Sequence, residues 1–108
     1  MNPATNLDFG RARRENLRWL ILLTLNHARP TDISEAPILS VAQSQYPDAT
    51  ALELRREMDY LDSRALIVLT KQPGGLWLAR LSRHGVDVCE YTVEVEPGIA
   101  RPTKYWAG

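Results

Sequence analysis

Ser82, His84 and Asp87 supply the hydroxyl, imidazole and carboxylate of a hydrolytic triad, but three residues within about one and a half helical turns point in different directions around the axis. The spacing therefore argues against catalysis, and no enzyme activity is expected; Ser82 is explained instead as a helix cap. His27 and His84 lie far apart, and Cys89 is the single cysteine, so neither a metal cluster of usual ligand spacing nor a disulfide is expected. Cys89 reads as a small core residue. The Pro73-Gly74-Gly75 turn lacks the lysine that follows a phosphate-cradling loop, and no cofactor is expected. Basic and aromatic side chains remain: Arg11, Arg13, Arg14 and Arg18 near one end, and Arg101, Lys104, Tyr105 and Trp106 near the other. Such groups pair with phosphate and stack on bases, or else begin a polar helix and pack on the chain itself.

Charge sharpens this picture. The chain is neutral overall, which removes the simple electrostatic argument for a nucleic-acid partner. Its distribution is uneven: residues 1–29 have five Arg against two acids, residues 30–65 have three Arg against seven acids, and residues 66–108 have five bases against four acids. Basic ends flank an acidic middle.

The elements that must position these residues follow from periodicity and capping. Residues 1–12 contain Pro3 and Gly10 and have no apolar period, so they read as a loose arm. A helix is predicted over 13–28, with Leu17, Leu20, Ile21, Thr24 and Leu25 on one face and Trp19, Leu22 and Leu23 on the other. A helix apolar nearly all round is central to its domain or shared with a second subunit; Trp19, Leu22 and Leu23 are accordingly the expected homodimer surface. A second helix is predicted over 33–46, capped by Ser34 and ended by Pro47, with Ile38, Val41, Ala42 and Gln45 inward. Thr50 to Glu53 has the form of a capping box and starts a third helix, with Leu54, Met58, Leu61 and Ala65 inward. An Arg55–Asp59 pair is expected on its outer side. Apolar runs 66–70 and 76–81 surround the turn residues of 71–75 and predict a hairpin. Ser82 then caps a short helix reaching residue 91, and the tail 92–108 begins as a strand and continues extended.

The stretch 54–67, LRREMDYLDSRALI, resembles the third helix and first wing strand of winged-helix domains, in which a glycine usually stands where this chain has Ala65. The stretch 81–85, LSRHG, is similar to the Leu-Thr-x-x-Gly that follows the wing in many bacterial winged-helix regulators. Stretch 93–102, VEVEPGIARP, together with the helical core, resembles the small winged-helix proteins of Mu-like phages and prophages. The resemblance covers residues 13–91. It implies an α+β, mainly α fold: a three-helix helix-turn-helix core, a β-hairpin wing, a closing helix and an extended tail. It also implies a non-enzymatic DNA-binding protein, a small transcriptional regulator or DNA-associated phage protein.

In that mode the third helix enters the major groove, Arg55 and Arg56 meet phosphate or guanine edges, Thr50 and Ser63 add hydrogen bonds, and wing residues Lys71 and Gln72 reach the backbone. Against it stand Glu53, Glu57, Asp59 and Asp62, four carboxylates on the same helix. The alternative is a winged helix that binds another protein, as in phage assembly, through its acidic third helix and aromatic tail. Residues 1–15 lack the apolar run of a signal peptide, and the apolar run 19–25 is shorter than the ~20 residues of a membrane span. A cytoplasmic protein of a bacterium or phage-infected cell is expected, with no membrane partner and no small-molecule substrate.

Overall fold

The computed structural model describes residues 8–104. Its elements are α1 (Phe9–Ala28), β1 (Ile33–Ser34), α2 (Glu35–Gln45), α3 (Ala51–Ser63), β2 (Ile67–Lys71), β3 (Trp77–Leu81) and α4 (Arg83–Cys89). The described residues thus form a small, mainly helical α+β fold with a three-stranded antiparallel sheet in the order β1-β3-β2. No helix of the described residues is long and apolar enough to cross a membrane.

α1 is the axle of the domain. Leu17, Ile21 and Leu25 are buried as their spacing predicts, and Trp19 and Leu22 are buried as well. α1 packs against α2, α3, β3 and α4, so Leu22 sits inside the chain's own core and Trp19 meets the Tyr91 ring edge-on at 6.4 Å. The second apolar side of α1 is therefore covered from within. This corrects the expected dimer surface for Trp19 and Leu22; of the three residues, only Leu23 remains partly exposed.

The helix also starts earlier than its apolar period suggests. Asp8 caps it by accepting from the Arg11 N–H at 2.9 Å, and Phe9 to Ala12, assigned to the arm from sequence, form its first turn. That turn projects past the core, leaving Phe9 exposed, so it has no inward stripe to read.

In α2, Ile38 and Ala42 are buried while Val41 and Gln45 face solvent, narrowing the predicted inner stripe. Ser34 occupies the cap position without a side-chain cap bond, and Ile33 and Ser34 are extended and pair with Ala79 and Leu78 of β3. Two residues are too few for an alternating pattern, so this third strand is not visible in the sequence. In α3, Leu54, Met58 and Leu61 are buried as predicted, and Thr50 accepts from the Glu53 N–H at 3.2 Å. Ala65, by contrast, is exposed and lies beyond the helix end at φ 59°. The Leu66 N–H reaches the Leu61 carbonyl and the Ala65 N–H that of Asp62, so Ala65 holds the left-handed residue of a Schellman ending where glycine is usual.

The hairpin pairs Ile67 with Leu81 through Lys71 with Trp77. Ser82 then accepts from the Gly85 N–H at 3.0 Å and donates to the Ala65 carbonyl at 2.6 Å, tying the α4 start to the α3 end. A Cβ on Gly85 would overlap the Leu66 carbonyl oxygen, so only glycine lets α4 lie this close to the start of β2.

Residues 93–95 form no strand. The tail instead folds back over the domain: the Ala100 N–H donates to the Glu15 carbonyl at 3.1 Å, Ile99 is buried, and Arg101 donates to the Val88 and Val93 carbonyls. The roles considered for Tyr105 and Trp106 lie outside the described residues.

Candidate nucleic-acid interface

Residues 54, 57, 58 and 61 turn α3 toward the core, which leaves Leu52, Arg56, Asp59 and Ser63, spaced four, three and four apart, along its solvent side. The loop of the β2–β3 hairpin stands beside this stripe. Gly75 at φ 91° closes the loop, and the Gln72 N–H meets the Leu76 carbonyl across it.

The four carboxylates of α3 do not face one way. Glu57 is buried and accepts from Arg18 Nε at 2.7 Å, and Arg18 also lies 3.5 Å over the Tyr60 ring and donates to the Gly98 carbonyl. Glu53 completes no reciprocal capping bond; its carboxylate takes two hydrogen bonds from Arg13, at 2.6 and 2.8 Å. Arg13 also pairs with Asp48 at 3.0 Å, and these carboxylates raise its pKa above the ordinary arginine value. Two of the four charges that argued against a phosphate partner are thus directed to α1 and neutralised there. Asp59 pairs with Lys71 of β2 at 2.8 Å, with both side chains about half exposed. Asp62 alone of the four has no ion pair among the described residues.

The cations are equally divided. Arg55 makes no pair with Asp59. It reaches across to Glu35 at the start of α2, with Nε 2.6 Å from the carboxylate, while its second nitrogen bonds the other carboxylate oxygen and the Gly75 carbonyl. Its guanidinium lies 4.6 Å from the Trp77 ring centroid. The Arg55 hydrogen bond holds the Glu35 carboxyl below its usual range, and Glu35 raises the Arg55 pKa. This arrangement joins α2, α3 and the hairpin and leaves Arg55 committed inside the domain. Glu35 and Trp77 carried no signal in the sequence, because both lie 20 or more positions from the residue they hold. The Arg56 guanidinium, one residue on, is exposed and has no partner among the described residues.

The remaining positions are mixed. Thr50 is used as the α3 cap, and the Ser63 hydroxyl donates to the Tyr60 carbonyl at 2.6 Å. Gln72 keeps an exposed side chain on the hairpin loop. Two exposed apolar residues, Leu52 on the α3 stripe and Leu76 on the loop, were missed as surface features; Leu52 lies outside the inner spacing of Leu54, Met58 and Leu61, which was the available signal.

Elsewhere, Ser82 is held between the Gly85 N–H and the Ala65 carbonyl rather than by an imidazole. No group of three or more metal-binding side chains occurs among the described residues. Burial pushes the Cys89 thiol up to about 11, and its Sγ lies 3.6 Å from the Leu22 carbonyl. No family model, curated protein or solved structure matches the chain.

Proposed function

We propose that this chain is a non-enzymatic winged-helix protein that binds duplex DNA through the outer face of α3 and the β2–β3 hairpin, in a regulatory or other DNA-associated role in a bacterium or phage. The observation that carries this reading is the sorting of charge around α3. Glu53 and Glu57 are paired toward α1, while Arg56 on the outer stripe has no partner among the described residues, beside a hairpin bearing Lys71 and Gln72. A helix so arranged presents a cation to phosphate, and the inward carboxylates are already neutralised. The element order and the α3–hairpin placement support the winged-helix assignment.

A salt titration of binding to random-sequence duplex DNA tests the function. The expected result is low-salt binding that weakens as salt rises, with R56A lowering the slope of log affinity against log salt by about one. Absence of binding at low salt overturns it. The exposure of Leu52 and Leu76, at 61% and 43%, favours the second reading, a winged-helix module for a protein partner that does not bind DNA; duplex DNA would then fail to bind even at low salt, and L52D would abolish partner capture. Leu20, Leu23, Thr24, His27 and Val41 line the remaining apolar groove of α1 and α2, where a homodimer contact would form.

A further inference from the structure

Resting on the DNA-binding reading, we infer that Asp59 is a built-in competitor for the phosphate position at Lys71. The ammonium of Lys71 is already satisfied in the free protein: Asp59 Oδ1 is 2.8 Å away and the Trp77 ring centroid 4.4 Å away. The Arg55 guanidinium also lies against Trp77, 4.6 Å from its ring centroid. Lys71 is therefore held at the margin of the outer α3 stripe with a carboxylate in the place a phosphate oxygen would take.

The two cations of this cluster differ in how they can respond to DNA. Arg55 makes a forked contact with Glu35 and a further bond to the Gly75 carbonyl, and its side chain is 33% exposed against 15% for Glu35. A forked, largely covered pair does not yield to an incoming anion without leaving a carboxylate uncompensated. The Lys71–Asp59 pair is 51% and 50% exposed and has a single contact. Such a pair is weak and screened, whereas a phosphate that takes the lysine releases condensed counterions. Arg55 is thus a positioning residue that keeps Trp77 and the hairpin against α3. Lys71 is an exchangeable ligand, and Asp59 sets the threshold a duplex must exceed to engage it. Asp59 also pushes the protein toward dense phosphate arrays over isolated anions, because one phosphate replacing one carboxylate gains little.

Asp62 provides the control. It lies on the same helix, carries the same charge and is exposed, but has no lysine partner among the described residues. Binding to random-sequence duplex DNA is measured for wild type, D59N, D62N, K71A and K71A/D59N across a salt series, with thermal melting to establish that each variant is folded. The expected result is that D59N raises affinity about two- to fivefold, more than D62N does, and that this excess disappears in the K71A background. If the protein binds DNA but D59N matches D62N, or its gain survives K71A, the competitor role is overturned and the DNA-binding reading stands. If no variant binds duplex at low salt, both fall together.

Discussion

Arg18–Glu57 and Lys71–Asp59 flank the same helix and use the same chemistry, yet their surroundings give them opposite uses. On the α1 side the ions are 12% and 5% exposed, the guanidinium lies over the Tyr60 ring, and it also reaches the Gly98 carbonyl of the returning tail. On the hairpin side a single contact joins two side chains that are each about half exposed. Burial decides the difference. Charges taken out of water depend on each other, so the α1-side pair acts as a structural clamp. Charges still in water exchange partners at little cost, so the hairpin-side pair is open to a ligand. Glu35–Arg55 lies between them, partly covered and forked, and joins the hairpin to the helices.

This gradation is open to direct attack, beginning with the clamp. E57A leaves the Arg18 charge covered and without its carboxylate, and is expected to cost about 3 kcal/mol, lowering the melting temperature by on the order of 10–20 °C. A fall of only a few degrees in a calorimetric scan would place this pair with the exposed one. For the intermediate pair the test is pH. Because Arg55 holds the folded-state Glu35 carboxyl below its usual value, its contribution is present above the ordinary glutamate range and is lost as pH falls through the lowered value. Wild type is therefore more stable than E35Q at pH 7, and the gap between their melting temperatures closes in acid; a gap unchanged down to strong acid would mean that Glu35 stabilises through packing alone. The smallest change is expected at the hairpin, where D59N shifts stability by less than about 0.5 kcal/mol and, under the proposed function, alters DNA affinity. A larger loss in urea unfolding would show that Lys71–Asp59 is structural after all.

Much of the helical framework was legible in the chain. The capping role of Thr50, the inward spacing of Leu54, Met58 and Leu61, and the turn chemistry of 71–75 are local, and local signals survive into the folded state. Ala65 was visible as a substitution at a glycine position, and its φ of 59° shows the backbone taking the left-handed conformation there anyway. The first turn of α1 and the two residues of β1 left no such trace, one because it projects beyond the core and the other because it is too short.

The candidate interface divides along the same line. Sequence alone put Arg55, Arg56, Asp59 and Lys71 on or beside one helix and determined their charges. It could not decide which of them were already paired, because their partners come from α2, β2 and β3, brought near only by folding. Tertiary structure assigned Arg55 to Glu35, Asp59 to Lys71 and the second apolar side of α1 to the chain's own core. The reason is physical: helix period fixes the direction in which a side chain leaves its own backbone, whereas long-range packing fixes what it meets and how much water remains around the contact.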